Sequence, residues 1–322
     1  MIATFLRRLT KILLALVILT IAAMASFRLA ASLRETAARE ELAPSSGRLI
    51  QTSSGGVFIQ EKGPAAGIPV VLIHGTAAWS ELWRGTIDAL ASAGFHVIAP
   101  DMPPFGFSDR PGDYTRSRQA ARINDVLEKL QAQPAIIVGH SFGAGAATEF
   151  AMQFPQRCRA LVLVDAALGL TSPPSDAPRL LASRWVRELL VSLTITNPLA
   201  TKRLLQSLIE KKERALPLYV DILQRPTRLR NSTADIADWL LYFSGSDLAA
   251  LSADHASYAR LKGPVAILWG EKDTVTPLDQ ASDLQRRITQ AKLIILPDLG
   301  HIPQIENPDA FNAALLEAIG NP

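Results

Sequence analysis

The chain has 322 residues, 48% of them apolar and 20% charged, enough for one large domain or a domain with an insertion and too apolar to stay disordered. A formal net charge of +3 gives no electrostatic basis for a nucleic-acid partner. The single cysteine, Cys158, excludes an intrachain disulfide framework and a cysteine-rich metal site; in "QRCRALVLVD" it reads as a small filler at the start of a strand.

The first element, residues 1–28, is the one compositional anomaly. Arg7, Arg8 and Lys11 precede the uncharged run "ILLALVILTIAAMASF" (12–27), which Arg28 ends. Sixteen helical residues reach roughly 24 Å against a hydrocarbon core of about 30 Å, a shortfall that snorkelling by Lys11 and Arg28 makes up. The run has no polar face, which argues against an ordinary core helix. A membrane anchor is expected; the alternative is a signal sequence cleaved near Ala25, after the A-x-A pattern Ala23-Met24-Ala25. Either reading exports the rest of the chain, because positive residues stay on the cytoplasmic side. Residues 29–47 follow as a polar linker, helical at first.

From residue 48 to 322 the pattern is that of one α/β domain. "GVFIQE" (56–61), "PVVLIH" (69–74), "FHVIAP" (95–100), "AIIVGH" (135–140), "ALVLVD" (160–165), "VAILWG" (265–270) and "KLIILP" (292–297) are short and continuously apolar, as in strands buried on both faces of a parallel sheet. Helical stretches are expected at about 79–93, 116–132, 141–154, 278–289 and 307–319, giving a doubly wound sheet. Residues 168–255 interrupt the alternation with helices punctuated by Pro173, Pro174, Pro198, Pro217 and Pro226, and read as a helical cap over one end of the sheet. Eleven Lys or Arg face four acids between positions 179 and 230. That excess is either a solvated face or one suited to an anionic membrane surface.

Candidate chemistry starts at Gly139-His140-Ser141-Phe142-Gly143, a G-x-S-x-G sequence between a predicted strand and a predicted helix. The glycines admit a turn too tight for a Cβ, and the helix N-terminus offers free N–H groups and a positive dipole where an oxyanion would form. The structural alternative is an N-cap serine. A serine nucleophile needs a base. Of five histidines, His140 adjoins Ser141 and should point away, His96 lies inside a strand, His255 has no supporting context and His74 ends a strand. His301, in "LPDLGHIPQIENP" after the last strand, stands at the same sheet edge as Ser141 and is the candidate base. Asp273, in "GEKDTVTP", is the favoured carboxylate partner, and Asp165 at the end of "ALVLVD" is its rival. The N–H of Phe142 and one from "HGTAAW", at Thr76 or Ala77, are the candidate oxyanion donors. Trp79, Trp83, Leu180, Leu181, Trp185 and Leu189 are candidates either for an apolar pocket or for plain core.

Taken together, "LIHGTAAW", "APDMPPFGFSDRP", "VGHSFGAGAATEFA", "WGEKDTVTP" and "DLGHIPQIENP" resemble the α/β-hydrolase superfamily, in its serine-nucleophile branch with a helical cap. That branch holds membrane-anchored acylglycerol hydrolases and C–C bond hydrolases. The resemblance covers residues 48–320 with the motifs in order. It implies a triad of Ser141, Asp273 and His301, an oxyanion hole from Phe142 and Thr76, and no cofactor or metal. The chain departs from the family at Pro104, where glycine is usual. The implied activity is cleavage of a carboxylic ester of an apolar or lipid-like acid. C–C cleavage, amide hydrolysis or acyl transfer by the same triad is the alternative, and a non-catalytic binding protein is the alternative of another class.

Overall fold

The computed structural model describes residues 2–132, 134–169, 176–245 and 247–320. Eight strands form one sheet: β1 (Gly47–Thr52), β2 (Gly55–Lys62), β3 (Pro69–Ile73), β4 (His96–Pro100), β5 (Ala135–His140), β6 (Cys158–Val164), β7 (Val265–Gly270) and β8 (Lys292–Leu296). Their spatial order is β1-β2-β4-β3-β5-β6-β7-β8. The β1–β2 and β2–β4 pairs are antiparallel, and every later pair is parallel.

The continuous apolar runs are explained by two cores divided by the sheet. Val71, Ile73, Ile137, Leu161, Leu163 and Ile267 face one core, while Val70, Leu72, Ile136, Val138, Val162 and Leu268 face the other. Side chains alternate along a strand, so a strand covered on both faces has no polar position. Helices α4 (Arg116–Leu130), α5 (Gly143–Gln153) and α10 (Leu278–Arg287) cover the first face, and α3 (Arg84–Ser92) and α12 (Pro308–Ile319) the second. Cys158 does open β6, half-buried, with its sulfur against the Ala160 carbonyl.

Strand β1 has no counterpart among the predicted strands. Its residues are mostly exposed and only Ile50 is buried, so it carries no hydrophobic signal; its pairing with β2 makes it a strand. Between β6 and β7 the chain runs through α6 (Arg184–Leu193), α7 (Pro198–Leu208), α8 (Pro217–Gln224) and α9 (Ser232–Ser244), joined by short 3-10 turns. Pro198 and Pro217 stand at the first positions of α7 and α8, where a missing N–H costs nothing. Pro173 and Pro174 lie outside the described residues.

At the N-terminus one unbroken helix, α1 (Ile2–Arg34), carries the apolar run into the first residues of the segment read as a linker, and its 33 residues span about 50 Å, enough to cross a bilayer. The rest of that segment is also held. Ala31 and Glu35 are buried, Glu35 accepts from the Thr233 hydroxyl, and Ala37 bridges to Leu229. The short helix α2 (Arg39–Leu42) follows, with Arg39 paired to Asp109.

Candidate active site

The sequence-predicted residues converge at the carboxyl ends of the parallel strands. Ser141 follows β5 with φ +52°, a left-handed conformation that a side-chain-bearing residue rarely adopts. The backbone there has no room to relax. A Cβ on Gly143 would stand 2.3 Å from the His74 carbonyl oxygen, and one on Gly139 2.6 Å from the Ala147 methyl. The Ser141 N–H donates to Val164 O at 2.9 Å, and Ser141 O accepts from Ala144 and Ala167. The N-cap serine reading therefore fails: the cap position of α5 belongs to Phe142, and no side chain caps that helix.

His301 follows β8, and its Nε2 lies 2.8 Å from Ser141 Oγ. Its Nδ1 lies 2.8 Å from Asp273 Oδ2. The matching tautomer donates Nδ1–H to the carboxylate and accepts the serine O–H at Nε2. Asp273 accepts further from the N–H groups of Val275 and Thr276 and from the Thr276 hydroxyl at 2.6 Å. Burial works to raise this carboxyl, yet the His301 and Thr276 hydrogen bonds outweigh it and hold Asp273 below the ordinary carboxylate range. It is the ionised member of the set.

Asp165 lies at the same sheet edge, also in a left-handed conformation (φ +44°). Its Oδ1 accepts from Gly270 N–H at 2.8 Å, while Oδ2 is buried with no partner. Burial, and then the neighbouring Asp273, pushes its carboxyl well above the ordinary range, toward the protonated form beside the Asp273 carboxylate. Ligand atoms of Asp165, Asp273 and His301 fall within 4.8 Å of one another, as a metal site needs. Both nitrogens of His301 and both oxygens of Asp273 are committed to hydrogen bonds, so the donor set reads as a proton chain rather than a ligand cluster.

Other histidines are accounted for. His140 is buried and held near pKa 3 by desolvation and by His301, so it is neutral. It nevertheless reaches the site, since its Nε2 donates to His301 O at 2.7 Å. His74, lowered by burial to about 4, takes the Met102 N–H at Nε2 and donates Nδ1–H to Gly75 O, tying two loops together. His96 is buried in β4 and pairs with Glu61. Sequence reasoning missed the positioning roles of His140, His74 and Thr276, and also Glu306. The Glu306 carboxylate accepts from Gly300, Glu210 and Lys211 N–H groups, and His301 N–H donates to Leu208 O, so the His301 loop is fastened to the end of α7. Only the threonine, three positions after Asp273, left a local trace.

Thr76 and Ala77 follow β3, with Ala77 left-handed at φ +56°. Among the described residues nothing accepts from the backbone N–H of Thr76, Ala77 or Phe142. The Pro103–Pro104 peptide is cis, and the left-handed position in that loop is taken by Gly106. The six pocket candidates scatter. Trp79 and Trp83 are core, with Trp79 Nε1 donating to Ile222 O; Leu181 and Leu189 are buried, and Leu180 and Trp185 face outward. The apolar surface beside Ser141 comes instead from Phe142, which packs on Trp239 at 5.2 Å between ring centroids, and from Phe105, 4.9 Å from the same indole.

A strained serine at a strand–helix elbow, with a histidine and a buried carboxylate in line, at the carboxyl edge of a parallel sheet, defines an α/β protein of the hydrolase type. Residues 68–308 match the family described as alpha/beta hydrolase fold, and the chain belongs to that family. It is 29% identical over 299 residues to the 2-hydroxy-6-oxo-6-phenylhexa-2,4-dienoate hydrolase of Burkholderia cepacia, covering 84% of this chain and 97% of that one. It is 27% identical over 259 residues to Lipase 1 of Psychrobacter immobilis, covering 77% and 76%. Among solved structures, a meta-cleavage product hydrolase from Pseudomonas fluorescens IP01 superposes with a TM-score of 0.70 at 25% identity, covering 85% of this chain and 97% of that one.

Proposed function

We propose that the chain is a serine hydrolase that cleaves a carboxylic ester of an apolar acyl group through an acyl-enzyme. The observation that carries this reading is the unbroken chain Ser141 Oγ–His301 Nε2, His301 Nδ1–Asp273 Oδ2, each link 2.8 Å. Ser141 attacks the carbonyl carbon as its proton passes to His301 Nε2, and Asp273 stabilises the imidazolium. The N–H groups of Phe142 and Thr76 take the oxyanion, each such donor contributing about 3 kcal/mol in the transition state. His301 returns the proton to the departing alcohol. A water, deprotonated by the same nitrogen, then releases the acid and frees Ser141. Phe142, half-buried and backed by Trp239, offers the acyl group an apolar surface.

A second reading, hydrolysis of a C–C bond, draws its support from the relatives named as a 2-hydroxy-6-oxo-6-phenylhexa-2,4-dienoate hydrolase and a meta-cleavage product hydrolase. The lipase relative favours the ester. Turnover of p-nitrophenyl esters of increasing acyl length, beside a vinylogous 1,5-diketo acid, separates the two. Ser141→Ala is expected to lower ester turnover by about 10⁴-fold or more. No turnover of any ester by the wild type would sink the ester reading, and failure of a fluorophosphonate to label Ser141 would sink both, in favour of a binding protein.

We further infer that α1 is an uncleaved anchor, with Arg7, Arg8 and Lys11 on the cytoplasmic side and the catalytic domain on the other. The support is its unbroken course through Ala23–Ala25 into turns that are packed on α6.

A further inference from the structure

Two polar contacts fix how α1 lies on the helices between β6 and β7. Arg28 Nε donates to Glu188 at 2.9 Å, and a guanidinium nitrogen of Arg34 donates to Thr196 O at 3.1 Å. Residue numbers rise together from Glu188 on α6 to Thr196 just past its end, so α1 follows the course of α6 in the same direction. The N-terminal end of α6 therefore points the way the apolar run 12–27 points. Helix α9 runs oppositely to α6: Arg187 donates to Ala237 O and to Asp238, whereas Thr196 bonds Thr233. The C-terminal end of α9 is thus at the N-terminal end of α6.

Three large apolar side chains stand exposed at that shared end: Leu180 at 67%, Trp185 at 55% and Phe243 at 51%. Trp185 precedes Glu188 by less than one turn, on the same stripe of α6, and so lies about 4.5 Å further toward the apolar run than the Arg28 contact. That is the level of the last residues of the apolar run 12–27. A tryptophan at such a level matches the bilayer interface, where an amphipathic ring has both its phases. Arg179 flanks the patch, as does Arg184, which is paired to Glu188; both carry charge of the sign that anionic headgroups attract.

We propose that this end of the cap docks into the bilayer that α1 enters, seating Leu180, Trp185 and Phe243 among the headgroups and upper acyl chains. The proposal rests on the anchor reading. It also names the route of the substrate. Phe243 stacks on Trp239 at 4.8 Å, Trp239 packs on Phe142 at 5.2 Å, and Phe142 follows Ser141 in the chain. One aromatic stack, with Trp239 buried inside it, links the docked edge to the residue that follows the nucleophile. The substrate class is an amphiphilic ester drawn out of the bilayer, rather than one captured from water.

Trp185 is its own probe, because Trp79, Trp83, Trp239 and Trp269 are buried to 1% exposure or less. The full chain is reconstituted into vesicles of phosphatidylglycerol and acyl-brominated phosphatidylcholine, in which bromine quenches only tryptophans that touch the lipid. Quenching of wild-type emission that disappears in Trp185→Phe is the expected result. Independently, Leu180→Glu/Trp185→Glu should lose at least about tenfold turnover on a long-chain ester held in the vesicles and stay within about twofold on a soluble short-chain ester. Equal quenching in wild type and Trp185→Phe, in protein that survives a carbonate wash, overturns the docking while leaving the anchor intact. Release by carbonate removes the anchor reading and the docking with it. Weaker self-association of the double variant, with vesicle turnover unchanged, would assign the face to a second copy of this chain.

Discussion

Two carboxyl groups lie near His301, and their surroundings push them in opposite directions. Asp273 has four donors aimed at it and is held down; Asp165 has one, and burial pushes it up toward the protonated form. A neutral acid is mimicked by an amide, whereas an ionised partner of imidazole is not. Asp165→Asn is therefore expected to hold kcat within a few-fold, and Asp273→Asn to lower it by about 10⁴-fold, because the amide favours the wrong histidine tautomer. Measuring both on one ester decides which acid serves His301; a large loss in Asp165→Asn alone would reverse the assignment. The sign of the pH effect follows from the same states. Asp273, held below its unfolded value, contributes stability above the ordinary carboxylate range, and that contribution is lost as pH falls through its depressed folded value.

The elbow and the loop after β4 show how elements impose their own residues. Gly143 stands where α5 passes the end of β3, so Gly143→Ala forces a methyl into the His74 carbonyl. A cost of roughly 2 kcal/mol or more is expected, read as a lowered thermal midpoint with activity falling in step. Asp101 organises the Pro103–Pro104 loop by accepting from Ser80 and Phe107 N–H groups. Burial raises its carboxyl to about 7 against those donors, so between pH 4 and 7 the folded chain binds a proton that the unfolded chain releases. Stability contributed by Asp101 is thus full below about pH 4 and declines as pH rises through 7. Asp101→Asn should flatten that slope in urea titrations across the range; an unchanged slope would show that Asp101 is ionised throughout.

At the scale of the molecule, the active-site loops, the helical excursion and α1 are mechanically one body. His301 is fastened to α7 through Leu208 and Glu306, and α1 to α6 and α9 through Glu188, Thr196 and Thr233. Thr233→Val should therefore loosen the buried Glu35 and speed amide exchange in the last turns of α1, costing about 1–3 kcal/mol. On the anchor reading, the full-length chain stays in the membrane fraction after carbonate extraction; a mature chain beginning at Ser26 would show a cleaved signal instead.

What the sequence by itself determined is local and one-dimensional. Continuous apolar runs marked the parallel strands, because burial on both faces leaves no polar position to break them. Glycine spacing marked the elbow, and the placement of Ser141, Asp273 and His301 after predicted strands put three groups at one sheet edge. Strand β1 was illegible because its residues are mostly solvent-facing and only pairing with β2 orders it. Chain order and loop context favoured Asp273 over Asp165, and tertiary structure supplied the contacts themselves, setting Asp273 within reach of both the Thr276 turn and His301. It alone recruited His140 and His74, whose partners lie far along the chain or across loops. It alone showed that the start of the linker segment, read as helical from the sequence, is docked, because the groups that hold Arg28, Arg34 and Glu35 lie some 160 to 198 residues away, beyond the reach of any local pattern.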